Sequence, residues 1–219
     1  MKNLPFDVSV ELDGWELFWA FLSVGEDQGG LADLRNRVVS RARERFSEPA
    51  AIAAHPPVAA MRKLFRAAGC DPTRYRPASE ALLRRLVKGA ELPQIHPLVD
   101  VNNCLSAELA VPCCVMAEGS LGSSLIFRAG QPGESYESLR GPFNLDAKPL
   151  LVDELGPIDT PITGGVRVKV QADSANAWLV AYLPRDEVRA DSASAAIGAI
   201  APEAGVEVER FESIPREAG

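Results

Sequence analysis

One polar-rich segment near the middle of the chain is the most informative part of the sequence. It reads Pro97-Leu98-Val99-Asp100-Val101-Asn102-Asn103-Cys104-Leu105-Ser106-Ala107-Glu108-Leu109-Ala110-Val111-Pro112. The apolar residues Val101, Leu105 and Leu109 recur at helical spacing, which predicts a short helix over about residues 100–110. Pro112 ends this helix, because proline disfavours helical geometry in the residue before it.

Polar side chains crowd the first turns of this helix. Three- and four-residue spacing predicts Asp100, Asn103 and Cys104 on one side, with Asn102 and Ser106 close to the first turn. Amide and carboxylate groups arranged in this way can position a ribose, an α-ammonium group or a water molecule. The same residues also have a structural interpretation, in which Asp100 caps the helix and buried asparagines tie loops together. For Asp100 the capping role is the stronger interpretation, and for Asn103 the two roles are balanced.

The residues before this segment predict two strands followed by three helices. Residues 6–12 alternate apolar and polar side chains, whereas residues 15–24 form a mostly apolar run that predicts a buried strand, with a helix as the alternative. Apolar residues at helical spacing predict helices over residues 31–47, from Pro56-Pro57 to Gly69, and from Ser79, taken as its N-cap, to Gly89.

The residues after it predict mainly strands. Short apolar stretches separated by glycine and proline predict strands at residues 113–117, 124–128, 166–172, 177–183 and 206–211, and an alanine-rich helix over residues 186–200. Strands and helices do not alternate regularly. The predicted fold class is therefore α+β, with a mixed, mainly antiparallel sheet flanked by helices.

Charge is distributed unevenly along the chain, whose net charge is −7. Residues 33–88 contain thirteen Lys or Arg and five Asp or Glu, a balance of +8, while the remainder has ten and twenty-five, a balance of −15. Such a basic lobe can dock a polyanion even on an acidic protein. The alternative is a solvated outer helix face formed by Arg35, Arg37, Arg41, Arg43 and Arg45.

Several classes of protein and site are not indicated by the sequence. The hydrophobic fraction of 47% and charged fraction of 24% are ordinary globular values. No apolar run approaches the length of a membrane helix, and no secretory signal is visible, so we expect a cytoplasmic protein. The cysteine spacings and the two histidines, His55 and His96, fit neither a zinc site nor a catalytic triad. Phosphate-binding glycine motifs are missing as well, and we expect no metal and no cofactor.

The central segment resembles the editing domain, also called the B-three/B-four domain, of the beta subunit of bacterial phenylalanyl-tRNA synthetase. Residues 99–103, Val-Asp-Val-Asn-Asn, resemble its Val-Asp-Ile-Thr-Asn signature, and are closer still to the Val-Asp-x-Asn-Asn of stand-alone relatives. Weaker matches follow in order at residues 127–134, 151–154 and 164–165, and residues 71–85 resemble only the stand-alone proteins. The resemblance covers about residues 70–200. It implies a single domain over residues 1–219, with an editing-domain-like core at about 70–211 and the strands and basic helices of residues 6–69 packed onto it.

Domains of this family hydrolyse the ester that links a wrong amino acid to the 3′ end of a tRNA. The resemblance therefore implies a free-standing aminoacyl-tRNA deacylase that acts in trans, with mischarged tRNA as its partner and no membrane involved. It also implies attack by a positioned water, assisted by polar groups and the tRNA ribose, without a covalent nucleophile. The implied residues are Asn103, Asp100 and Asn102 for catalysis; Ser106, Glu108, Cys114, Glu134, Asp153, Thr160 and Thr163 for substrate binding; and Arg41, Arg45, Arg84 and Arg85 for tRNA binding.

Two departures from the family pattern bear on the substrate. Cys114 occupies the position of a histidine that helps to bind tyrosine in the synthetase domain, and a later glutamate is replaced near residues 179–181. These replacements disfavour tyrosine. Acidic groups favour instead an amino acid with a basic or polar side chain, such as the arginine analogue canavanine; they are Glu108, Glu134, Asp153 and Asp159.

Two other functions are compatible with the same residues. One is a non-catalytic module that keeps the fold and binds tRNA or a free amino acid. The other is a hydrolase of a small ester or amide without nucleic acid, because a fold alone does not specify a reaction.

Overall fold

The helices lie mainly on one side of the molecule. A computed structural model describes residues 3–26, 29–210 and 213–215. Within these ranges the helices are α1 (Leu31–Arg45), α2 (Pro49–Ala54), α3 (Pro56–Ala67), α4 (Ala78–Val87), α5 (Pro97–Leu109) and α6 (Ala190–Glu203). The predicted helices are confirmed to within a few residues, except that α2 was not predicted. None of these helices is both long enough and apolar enough to cross a membrane.

An antiparallel sheet forms the centre of the fold. In chain order the strands of the described ranges are β1 (Asp7–Val10), β2 (Trp15–Val24), β3 (Cys113–Ala117), β4 (Ser124–Ala129), β5 (Ser135–Ser138), β6 (Gly141–Asn144), β7 (Pro149–Asp153), β8 (Gly156–Asp159), β9 (Asn176–Pro184), β10 (Val206–Arg210) and β11 (Ile214–Pro215). The central sheet has the order β10-β2-β9-β3, and β11 also pairs with β2. The expected end of the last long strand, Phe211, lies outside the described residues.

Strand β2 explains why the run at residues 15–24 is almost wholly apolar. Its alternate residues Phe18, Ala20 and Leu22 pack into a core on one face of the sheet. Trp15, Leu17 and Trp19 pack into a second core on the other face. A strand buried on both faces needs apolar residues at every position, so the helical alternative for this run is wrong.

A smaller sheet covers the second core. Its order is β1-β4-β7-β8, with β1 parallel to β4 and the other pairs antiparallel. Phe127 of β4 packs against Trp15 of β2 and Tyr182 of β9, with ring centroids 5.1 and 5.3 Å apart. Strands β5 and β6 form a separate hairpin. These mixed, mainly antiparallel sheets with helices on one side confirm the predicted α+β class.

Helices α1, α5 and α6 cover the first core. Leu34 and Val38 of α1, Leu105 of α5 and Ile197 of α6 are all buried there. Helix α5 thus lies between the central sheet and α1. This position fixes which of its side chains point to other helices and which remain open to solvent.

Three sequence predictions differ from the structure. Residues 166–172 form no strand but a single 3-10 turn at Val166–Val168, where Val168 fills the second core without pairing. The last helix begins at Ala190, because residues after Pro184 first form a turn onto its carbonyl. Ser79 does not cap α4. Its buried hydroxyl instead donates a 3.2 Å hydrogen bond to the carbonyl of Ala110, which joins α4 to the end of α5.

Candidate functional site

A cleft of about 190 Å³ opens between α4, α5 and the loop that follows β8. It is lined by the polar or small residues Arg85 of α4, Asn102, Asn103 and Ser106 of α5, and Arg140, Thr163 and Gly164 of two loops, together with apolar neighbours. The central segment of the sequence therefore faces an open cavity and is not sealed inside a core.

Helix α5 presents two different polar faces because its residues repeat every 3.6 positions. Asn102, Asn103 and Ser106 line the cleft. Asp100 and Glu108 lie on the other side, where they contact arginines of α1. The grouping of Asp100 with Asn103 on one side, predicted from three-residue spacing, is therefore wrong. Asp100 and Glu108 are eight residues, or about two turns, apart, a spacing that places them on the same side of the helix.

Asp100 has a structural role. Its buried carboxylate accepts a 2.6 Å hydrogen bond from Nη1 of Arg35 and a 3.0 Å hydrogen bond from the backbone amide of Ile95. His96 caps the helix through its own side chain, which accepts from the amide of Leu98. The carboxylate of Asp100 thus ties α1 to the start of α5 and does not line the cleft, contrary to its assignment as a catalytic residue.

Replacing Asp100 by asparagine is expected to lower the free energy of unfolding by about 3 kcal/mol, because it leaves the largely buried guanidinium of Arg35 without its charge partner. Chemical denaturation measures this loss. The matched control is Asp191→Asn, which breaks an exposed ion pair with Arg189 and is expected to cost less than about 1 kcal/mol. Equal losses in the two variants would contradict the structural role.

Asn102 has a buried hydrogen-bond acceptor that is not satisfied. The residue is only 8% exposed, and its Oδ1 has no hydrogen-bond partner among the described residues. Asn103 lies next to it on the same helix, half-buried. Ser106, by contrast, donates a 2.8 Å hydrogen bond to the carbonyl of Val111. That bond holds the sharp reversal after α5, where Ala110 has a φ of 58°.

The two threonines predicted to bind substrate separate into different roles. Thr160 Oγ1 accepts hydrogen bonds from the amides of Ile162 and Thr163, at 3.3 and 3.1 Å, and so closes the turn after β8. Thr163 lines the cleft. The hydroxyl of Tyr136 donates to the Thr163 carbonyl and fixes this wall from behind.

Three acidic residues predicted to bind substrate are engaged elsewhere. Glu134 forms a 2.7 Å ion pair with Arg128, whose hydrogen bonds lower the pKa of Glu134. Asp153 is paired with Arg167 at 2.9 Å. None of these residues, including Glu108, lines the cleft. Hydrogen-bonded ion pairs satisfy the carboxylates of Glu134 and Asp153, and that of Glu108 lies 3.6 and 3.7 Å from Arg41 and Arg45, so these assignments are not supported by the geometry.

The thiols near the cleft are not nucleophiles. Cys113 lines the cleft, and its Sγ donates a weak 3.7 Å hydrogen bond to the carbonyl of Val111. Cys114 faces the opposite side of β3, beside the carboxylate of Asp159. Burial raises the pKa of both thiols well above the ordinary value, so they remain protonated at neutral pH.

Only part of the basic lobe predicted from the charge distribution forms a surface with excess positive charge. On α1 each arginine of the predicted basic face has a carboxylate partner; the pairs are Arg35–Asp100, Arg37–Glu203, Arg41–Glu108, Arg43–Glu91 and Arg45–Glu108. For α1 the alternative interpretation, a solvated helix face, is therefore the better one. The predicted tRNA contacts of Arg41 and Arg45 are not supported.

A second basic surface lies beside the cleft. Arg76, Arg84, Arg85, Lys88 and Arg140 line a groove of about 510 Å³. Arg84 and Arg76 share the buried carboxylate of Glu80 with Arg62, at 3.0, 3.6 and 2.9 Å, so this side of the groove retains excess positive charge. Arg85 and Arg140 line both the groove and the cleft, which makes the two continuous.

Comparisons with known proteins agree with this fold. The family model of the B3/4 domain matches residues 60–204. A solved N-terminal fragment of the phenylalanyl-tRNA synthetase beta-subunit from Pyrococcus horikoshii is similar in fold, with a TM-score of 0.50 and 11% identity over 95% of this chain. The match covers 51% of that chain, so this chain spans about half the length of that fragment. No curated protein matches the sequence. Because the family match extends over more than half of its residues, the chain belongs to the B3/4 domain family.

Proposed function

We propose that the protein is an aminoacyl-tRNA deacylase that acts in trans on mischarged tRNA. The observation that carries the proposal is the open cleft beside Asn102 and Asn103, which continues into a groove with excess positive charge. A cleft of about 190 Å³ accommodates an amino acid but not a nucleotide. The amino acid therefore enters the cleft, and the tRNA backbone stays in the groove outside.

The chemistry is the addition of water to an ester. Water attacks the carbonyl carbon, the bond from that carbon to the ribose oxygen breaks, and the proton of the water passes to the ribose oxygen. The products are a free amino acid and a tRNA with a free 3′-terminal ribose. An aminoacyl ester is already activated, so orientation of the water and stabilisation of the carbonyl oxygen supply the main rate enhancement.

Asn102 and Asn103 are assigned to these two tasks. An orphaned buried acceptor costs about 1–3 kcal/mol, and Oδ1 of Asn102 is such an acceptor at the cleft wall. Because this oxygen is shielded from solvent, it accepts from the attacking water once the amide turns toward the cleft; this hydrogen bond removes the cost and holds the water next to the ester. The amide of Asn103, one residue further along α5, then donates to the carbonyl oxygen on which negative charge develops.

Arg85 and Arg140 are assigned to the acceptor end of the tRNA. Both are exposed, and they stand where the groove meets the cleft. Phosphates held here place the terminal ribose at the mouth of the cleft. Arg84 is the other predicted contact that lies on this surface. The preferred amino acid carries a basic or polar side chain, with an arginine analogue such as canavanine as one example.

A panel of tRNAs, each charged with a different labelled non-cognate or non-protein amino acid, tests the proposal. The protein is expected to release the label from at least one of them faster than the spontaneous rate. Salt should weaken tRNA binding steeply, because Lys and Arg contacts to phosphate release counterions. Absence of turnover across the panel would overturn the deacylase proposal.

A non-catalytic module that binds tRNA or a free amino acid is the second candidate. The favouring observation is that the residues lining the cleft include neither a carboxylate nor a histidine that could act as a general base. In the same panel, such a module would protect the ester from spontaneous hydrolysis without turning it over.

A further inference from the structure

Asp159, at the end of β8, is a buried carboxylate outside the set of residues just assigned. It is fully inaccessible to solvent. The hydroxyl of Tyr182 donates a 2.6 Å hydrogen bond to Oδ2. Its other oxygen, Oδ1, has no hydrogen-bond partner of regular geometry among the described residues. Only Oδ2 therefore accepts a hydrogen bond of regular geometry, and the thiol of Cys114 and the amide of Thr160 are the further donors near the carboxylate.

The unsatisfied oxygen lies directly behind the wall of the cleft. Gly164 lines the cleft, and a Cβ atom built on it would lie 3.6 Å from Oδ1 of Asp159. The same Cβ position would be 3.4 Å from Leu139, another residue of the cleft wall. The missing side chain of Gly164 thus leaves a gap between the cleft and the carboxylate, wide enough for a methyl-sized group.

Among the residues that the structure describes, no Lys or Arg side chain pairs with this carboxylate. The groups that face it are the hydroxyls of Tyr182 on β9 and Tyr136 on β5, the thiol of Cys114 on β3 and the backbone amide of Thr160. Burial raises the pKa of Asp159 to about 7, and the hydrogen bonds from Tyr182, Cys114 and Thr160 only partly oppose this shift. The other buried aspartates, Asp100 and Asp153, each have an arginine. Asp159 is built without one.

We propose that Asp159, behind the Gly164 wall of the cleft, is a specificity residue that selects an amino acid whose side chain ends in a cationic hydrogen-bond donor. The proposal rests on the proposed function of the cleft and names its substrate class. Exposure decreases from the mouth of the cleft inward. Arg85 and Arg140 are exposed at the mouth, and Asn102 and Thr163 are nearly buried. Asp159, behind them, is wholly buried. The proposal places the ester at Asn103 and directs its side chain toward Gly164 and Oδ1.

The pH dependence follows from the sign of this interaction. A cationic side chain requires the ionised carboxylate, which forms as the pH rises through about 7 in the free protein. Selectivity for a cationic over a neutral side chain is therefore expected to rise across this range. Asp159→Asn removes the ionisation, so its selectivity should not change there.

The experiment compares tRNAs esterified with arginine and with citrulline, which has the same shape but no charge. In the wild-type protein the rate for the arginyl ester divided by the rate for the citrullinyl ester gives the selectivity. Asp159→Asn is expected to lower this ratio about tenfold or more, because a charge-assisted hydrogen bond contributes about 1.5–3 kcal/mol. Gly164→Ala is expected to lower it similarly by closing the gap. That alanine meets only ordinary van der Waals contacts, at 3.4 to 3.9 Å, and leaves the carboxylate in place.

The outcomes separate this inference from the deacylase proposal. If a tRNA of the panel is hydrolysed but both variants keep the wild-type ratio, the role of Asp159 is overturned and the deacylase stands. If no ester is hydrolysed, calorimetry with arginyl and citrullinyl adenosine, joined by a stable amide, measures the same selectivity as a ratio of affinities. A ratio that Gly164→Ala and Asp159→Asn both lower supports the inference; equal affinities of the wild type for the two probes would overturn it.

Discussion

Replacing Asn103 by alanine is expected to slow ester hydrolysis about 100-fold, as loss of one donor to a developing oxyanion does in other hydrolases. The side chain lies at the wall of the cleft, on the same face of α5 as Asn102. Its removal takes away a hydrogen bond that strengthens as charge develops on the carbonyl oxygen. The loss should therefore appear in the rate of the chemical step under single-turnover conditions, with little change in tRNA affinity.

Asn36→Ala is the matched control for this prediction. Asn36 is exposed on α1, the helix that packs on the other side of α5, so its removal should leave the rate unchanged. Thermal unfolding of both variants checks that the fold is retained. A rate for Asn103→Ala within about twofold of wild type would remove this side chain from the site, since the expected effect is on the order of 100-fold.

The double variant Arg85→Ala/Arg140→Ala is expected to weaken tRNA binding more than tenfold at low salt. These two side chains are exposed and line the junction of groove and cleft. Removing two phosphate contacts should also reduce the slope of log affinity against log salt concentration by about 1.5. Fluorescence titrations of labelled tRNA at several salt concentrations measure both quantities.

Arg37→Ala/Arg41→Ala provides the control with the same change in net charge. Both arginines are exposed on α1 and are paired with Glu203 and Glu108. The account therefore expects a much smaller loss of affinity and an almost unchanged salt slope. Equal effects of the two double variants would mean that net charge, and not the groove, governs binding.

The fold was largely predictable because its main elements have strong local patterns. Strand β2 is apolar throughout because both of its faces are buried. Helices α1, α3 and α4 show apolar residues at helical spacing because one face of each is buried. Residues 166–172 have the apolar pattern of a strand because Val168 and Val170 are buried, but these valines are not paired, and apolar periodicity cannot distinguish paired from unpaired buried residues. Helix α2 was missed because a six-residue, alanine-rich helix has no amphipathic period to detect.

The candidate site was predictable only in part. Asn102, Asn103 and Ser106 were found because they are sequence neighbours on one helix. The contacts of the charged residues were not predictable, because the partner of each lies far along the chain. Arg35 and Asp100 are 65 residues apart, and their pairing turns a candidate catalytic group into a structural one.

The local sequence gives almost no indication that Arg140 and Asp159 belong to the candidate site. Arg140 is a single arginine in the turn of a hairpin, outside the basic half of the sequence, yet it completes the groove. Asp159 looked like the other acidic residues of the second half. Only the packing of β8 against Tyr182 and Gly164 sets it apart.

The central claim is that the cleft beside the two asparagines holds the esterified amino acid. A crystal structure of the protein with an amide-linked aminoacyl-adenosine, which cannot be hydrolysed, tests it most directly. The amide carbonyl is expected next to Asn103, the amino-acid side chain directed toward Gly164, and the adenosine at Arg85 and Arg140. An analogue bound elsewhere, for example in the separate groove beside Gly25 and Pro202, with this cleft left empty, would contradict the account.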